Sequence, residues 1–208
     1  REVVYIDFAD ITLAWGKSII AHELQHLLHN AQDPYENLWL DEGNADVAIY
    51  LCFGADGTLA GHLNGWTQQS DLSVRWWNQR NGDYGAGFIF TMYLADHLGG
   101  GPAVRQLVQD SATGGLGVEN LALSPVSGQS GKIGRTMGEI FANFSIAATI
   151  DSDQGIYGFS NLDLNPSCGG STFCRITPAD TNSDWSTPWS STGHTMEGWG
   201  IRSFKFTP

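Results

Sequence analysis

Positive charge is what this sequence has least of. Ten lysines and arginines stand against 22 aspartates and glutamates in 208 residues, a formal net charge of −12 with histidine neutral. So acidic a chain is unsuited to a phosphate backbone or an anionic membrane surface, and no nucleic-acid partner is expected. Long apolar runs are missing too. Nothing approaches the roughly 20 uninterrupted apolar residues of a membrane-spanning helix, so no membrane span is expected. Three cysteines are too few for a disulfide-built scaffold, so a hydrophobic core has to hold the fold. The N-terminus has no basic-then-apolar leader and opens on Arg1-Glu2-Val3-Val4-Tyr5-Ile6-Asp7-Phe8. Such an opening is expected of a mature or trimmed piece of a longer precursor. There is no internal repeat and no low-complexity tract.

What is present is enough for one domain. With 41% hydrophobic residues the chain can bury a sizeable core, and residues 1–208 are read as a single unit with a first lobe over 1–70 and a second over 71–208. The chemistry concentrates in Gly16–Tyr50. There His22-Glu23-Leu24-Gln25-His26 forms an H-E-x-x-H motif inside an apolar run with helical spacing, Ile19, Ile20, Leu24, Leu27 and Leu28. Histidines at i and i+4 lie one turn apart on one helix face, so their imidazoles can converge on one ion while the adjacent Glu23 reaches a metal-bound water.

A catalytic zinc needs a third protein ligand and an open fourth position. Glu42, sixteen residues past His26 on a second helix-like segment, fits that need; Glu36 and Asp41 are weaker rivals, Glu36 because it falls in the intervening turn. Asp46, four residues beyond Glu42, shares its helix face and can accept the second N–H of a ligating histidine, fixing tautomer and orientation. The alternative H-E-x-x-H-x-x-G-x-x-H pattern is absent, since His29 stands where its Gly belongs and Gln32 where its third His belongs. His29 is therefore read as a packing or substrate-side residue.

AHELQHLLHN followed by WLDEGNADVAIYL resembles the gluzincin metallopeptidases, the class that includes thermolysin, and most closely the hyicolysin-type secreted peptidases. DYGAGFIFTMYLADHLGG at 83–100 and MGEIFANFSIAATIDSDQGIYGF at 137–159 look like the helices that close that family's catalytic domain. The resemblance implies a zincin-like domain of α+β class, mainly helical: a small N-terminal sheet remnant, the H-E-x-x-H helix, a glutamate helix and a helical, loop-rich C-terminal lobe. It also implies a secreted zinc-dependent endopeptidase, with His22, His26 and Glu42 as Zn2+ ligands, Glu23 as general base, and protein or peptide substrates. Such peptidases commonly stabilise the oxyanion with a later Tyr or His. Tyr84, His97, His194 and His62 are candidates, and Tyr84 is preferred because Gly-rich surroundings permit close approach. The alternative reading is a catalytically inactive, zinc-containing module that binds a polymer through exposed tryptophans; Glu23 speaks against it, because a structural zinc has no use for a base.

The remaining expectations are local. A buried strand is expected over 3–8 and a short strand over 201–206, with helices over 17–30, 40–53, 84–98, 102–112 and 137–150; 54–70 and 160–200 read as loops and 114–134 as mostly loop. Cys168 and Cys174 bracket a short loop where a disulfide of an exported protein is plausible, and Cys52, in an apolar run, is expected to be a buried free thiol. Asp151-Ser152-Asp153-Gln154-Gly155 reads as a capping turn or the start of a Ca2+ loop, though it lacks the later Glu of an EF-hand. A monomer is expected.

Overall fold

The computed structural model describes residues 3–5, 7, 9, 13, 15–125, 129–166, 172–182 and 195–206. Among these the fold is mainly helical. The helices are α1 (Gly16–Gln32), α2 (Leu38–Phe53), α3 (Gly57–Thr67), α4 (Asn81–Leu98), α5 (Gly101–Gln109), α6 (Gly115–Leu123) and α7 (Met137–Ile150). Two three-residue strands, β1 (Asp180–Asn182) and β2 (Phe204–Phe206), pair in parallel with Asp180 opposite Phe204. No helix among the described residues is long and apolar enough to cross a membrane.

The helix ends follow local chemistry. Asp56 starts α3 by accepting the Leu59 N–H at 2.9 Å, and Thr136 and Glu139 close a reciprocal cap on α7. α4 ends at Gly99 with φ 121°, a conformation that glycine adopts without penalty.

α4 is the axis of the core. It is buried along almost its whole length and packs against both α2 and α3. Its aromatic rings lock onto α7: Phe144 meets Phe90 at 5.1 Å and Tyr93 at 5.7 Å, while Trp66 of α3 stacks on it at 5.9 Å. Offset and edge-on pairs of this kind add about 0.5–1.5 kcal/mol each beyond their area.

The small residues after Tyr84 do what their size suggests. A Cβ on Gly85 would stand 2.0 Å from the His62 carbonyl oxygen, and one on Gly87 would stand 2.6 Å from that of Trp39. The backbones of α3 and α2 therefore touch α4 directly. That contact sets Glu42, His62 and Tyr84 at one end of the three-helix packing.

Several expectations are corrected. Residues 3–5 and 7 are not in a strand, and Val3 and Tyr5 are 54% and 90% exposed, so the N-terminal sheet remnant is not formed among the described residues. No second strand lies there to take up its N–H and C=O groups; the described strands lie near the C-terminal end. The 54–70 stretch, read as loop for its glycines, contains α3, whose Leu59, Ala60, Leu63 and Trp66 form a buried stripe. The 114–134 stretch likewise contains α6, which buries Val118, Leu121 and Ala122. Cys52 is free and exposed, because the last turn of α2 runs beyond the core. The expected Cys168–Cys174 pairing involves Cys168, which lies outside the described residues, as does His194.

Candidate metal centre

α1 turns its polar side inward. Ile20, Leu24 and Leu28 are 37%, 45% and 55% exposed, whereas His29 is 1% exposed. His22, His26 and His29 form a stripe one turn apart that faces α2. α2 answers with carboxylates in its first turns, Asp41, Glu42 and Asp46.

The three donors converge. His22 Nε2 lies 3.1 Å from His26 Nε2 and 3.1 Å from Glu42 Oε2, and His26 Nε2 lies 3.4 Å from the same oxygen. Donors held about 2.0–2.1 Å from one tetrahedral ion stand about 3.3–3.4 Å apart, so the triangle fits zinc and leaves a fourth direction open. Among the described residues this is the one group of three or more His, Cys, Asp and Glu side chains able to hold a metal ion.

Each imidazole is fixed from behind. His22 Nδ1 is 3.1 Å from Asp46 Oδ1, and His26 Nδ1 is 2.9 Å from Asp41 Oδ2. An ionised carboxylate only accepts, so both Nδ1 atoms carry the proton and each neutral imidazole aims its lone pair at the centre. Without a cation, three acceptors would face one another. Protons meet that demand in the free site. Burial, the largest influence, disfavours imidazolium, yet the Asp46 and Glu42 carboxylates outweigh it and raise His22 to about 9. Burial likewise opposes the charge on His26, and Asp41 and Glu42 raise it to about 10. Glu42, which burial alone would push up, is drawn down to about 2 by the two histidines.

Asp46 is completely buried and serves two rings, because His62 Nδ1 lies 2.7 Å from its other oxygen. His62 in turn stacks on Tyr84 with ring centroids 4.7 Å apart, and Tyr84 lies 6.3 Å from the His22 ring. Tyr84 thus stands beside the donors. Burial and then the Glu42, Asp46 and Glu23 carboxylates raise its pKa, so its hydroxyl keeps its proton at neutral pH. Glu23 is exposed on α1 next to His22.

The chain matches no family model and no curated protein.

The other candidate side chains are placed elsewhere or in other roles. Glu36 accepts the N–H of Gly114 at 2.6 Å, tying two loops, and Asp41 stands behind His26 rather than among the donors. His29 Nδ1 comes within 2.8 Å of Asp41 Oδ1, near enough for charge pairing but not aligned as a hydrogen bond. It is a packing residue. His97 is buried and bonds the Gly158 carbonyl at 2.9 Å. Asp151 accepts backbone N–H groups with both oxygens, from Phe159 at 2.9 Å and Leu164 at 2.8 Å, so it pins the loop that follows α7. Sequence reasoning missed Asp41 as the partner of His26. The signal was available, since a carboxylate beside the third donor is placed to reach the other histidine.

Proposed function

We propose that this chain is a zinc-dependent endopeptidase acting on protein or peptide substrates outside the cell. The observation that carries the reading is the triangle of His22 Nε2, His26 Nε2 and Glu42 Oε2, with edges of 3.1, 3.1 and 3.4 Å, whose imidazoles are each oriented by a carboxylate. A zinc ion bound there acidifies a water and polarises a carbonyl.

The chain's own residues supply the rest. Asp46 and Asp41 hold the imidazoles in the tautomer that presents Nε2. Glu23 accepts the proton of the attacking water and passes it to the leaving amine nitrogen, the general acid–base role that worked alone contributes about 10²–10⁴-fold. Tyr84 keeps its hydroxyl proton and donates a hydrogen bond to the scissile carbonyl oxygen as it gains negative charge.

The test is hydrolysis of an unstructured protein such as casein by the chain and by Glu23→Gln, with zinc content assayed in both. Activity in the parent, lost in the variant at equal zinc content, is the expected result. Zinc retained by both with no cleavage by either would favour the inactive binding module instead.

A further inference from the structure

Among the described residues, Arg75 is a guanidinium without an ion-pair partner. Arg80 is held by Glu197 at 2.8 and 3.1 Å and by Asp83, and Arg202 is paired with Asp71. Arg75 makes no ion pair or side-chain hydrogen bond with the described residues, and instead lies over the Trp199 ring, 4.9 Å from its centroid. It lines a cavity of about 540 Å³ with Ser73, Trp76, Glu197, Gly198 and Trp199. Glu197 lines the same cavity but makes no ion pair with Arg75; it bonds Arg80 and accepts the Ser73 N–H at 2.8 Å. The cavity therefore presents a guanidinium with no ion-pair partner among the described residues, lying over the Trp199 ring, with Trp76 63% exposed in the same wall.

A short run of chain links the cavity wall to the candidate metal centre. Trp77, two residues on, meets Tyr84 edge-on with centroids 4.6 Å apart, and Tyr84 lies 6.3 Å from the His22 ring. The segment 75–77 thus runs from the cavity wall to the wall of the donor site.

We propose that this cavity is a carboxylate-binding subsite. It seats an acidic side chain, or the C-terminal carboxylate of a peptide, on the Arg75 guanidinium, while Trp76 and Trp199 flank the apolar stem. Guanidinium suits this role because its fork of N–H donors matches the two oxygens of a carboxylate, and a partly dehydrated cation against an aromatic ring has lost water that an anion can replace. The assignment of the ligand as part of a peptide substrate rests on the peptidase reading.

The experiment measures binding rather than turnover. Glu23→Gln protein is titrated with blocked short peptides carrying glutamate or glutamine, each with a free or an amidated C-terminus, and followed by calorimetry and tryptophan fluorescence. A charged peptide is expected to bind about tenfold to a hundredfold more tightly than its neutral counterpart, the range of a charge-assisted hydrogen bond. Whichever pair shows the difference identifies side chain or terminus as the source. Arg75→Gln should abolish the preference and leave the neutral peptide's affinity unchanged, and Arg75→Lys should restore part of it. Equal affinity for charged and neutral peptides overturns the proposal, as does a preference that survives Arg75→Gln. If Arg75→Gln fails to fold, Arg75→Lys decides the matter: a weakened preference supports the proposal and an undiminished one overturns it. Because the protein assayed lacks its base, failure of the native chain to cleave casein counts against the peptidase reading alone.

Discussion

Gly43→Ala is a small change with a large expected effect. The added Cβ would stand 2.6 Å from the Gly87 carbonyl oxygen, 2.7 Å from Thr91 Oγ1 and 2.8 Å from the Gly87 carbonyl carbon. Two of these three are backbone atoms that cannot rotate away, so α2 and α4 must part. Overpacking of this kind costs about 1–3 kcal/mol. Alanine's helix advantage over glycine returns about 0.5–1 kcal/mol. The backbone clash wins, leaving a net loss of about 1–2 kcal/mol, which for a domain of this size lowers Tm by about 2–8 °C.

Gly61→Ala is the matched control. A Cβ added at this exposed position on α3 would meet nothing within 4 Å, so the helix advantage acts alone and Tm should rise by about 1–4 °C. Thermal unfolding by circular dichroism separates the two. Because Gly43 follows Glu42 directly, Gly43→Ala should also weaken zinc binding in a chelator competition, whereas Gly61→Ala should not. A Gly43→Ala protein as stable as Gly61→Ala would refute the close approach of α2 and α4.

Three further outcomes follow from the site and its surroundings. Asp46→Ala should lower zinc affinity by about 10–100-fold with helix content unchanged, the usual cost of losing the group behind a ligating histidine; Asp41→Ala, at a carboxylate 24% exposed rather than 0%, should cost less, and chelator competition ranks the two. Zinc removal should lower Tm, since an ion bound only by the folded chain stabilises it by mass action, and a Tm indifferent to chelation would speak against the triangle as a zinc site. Burial, and less strongly Lys132, hold His97 below its ordinary 6.5 despite its bond to Gly158, so the unfolded chain binds the proton more readily. Stability should accordingly fall as pH drops below about 6.5, with the loss complete below the depressed folded value, and His97→Gln should flatten that limb of a urea-denaturation pH series.

The donor set was readable because it is local. H-E-x-x-H places two imidazoles by helix geometry alone, and Glu42 with Asp46 repeats the same one-turn spacing on the next helix. α7 was readable over its whole length, and α2 and α4 to within a turn at the start. Composition misled where it competed with periodicity. The glycines of α3 suggested a loop, but its apolar stripe against α4 outweighs their helix-breaking tendency. α1 misled differently: its leucines marked a helix correctly but not its buried side, because paired imidazoles and carboxylates took the interior. The 3–8 run looked like a strand by composition, yet strand formation depends on a partner that local sequence cannot display.

Chain connectivity divides the site into two unequal halves. His22 and Glu42 meet across a separation of 20 residues, whereas Arg80 and Glu197, the latter in the wall of the Arg75 cavity, meet across 117. Closing the longer loop costs about 1.5 kcal/mol more chain entropy, at roughly 0.6 kcal/mol for each doubling of length. The helix pair that carries the candidate donors is therefore joined by a short connection, while the proposed carboxylate subsite exists only when distant parts of the chain have already come together.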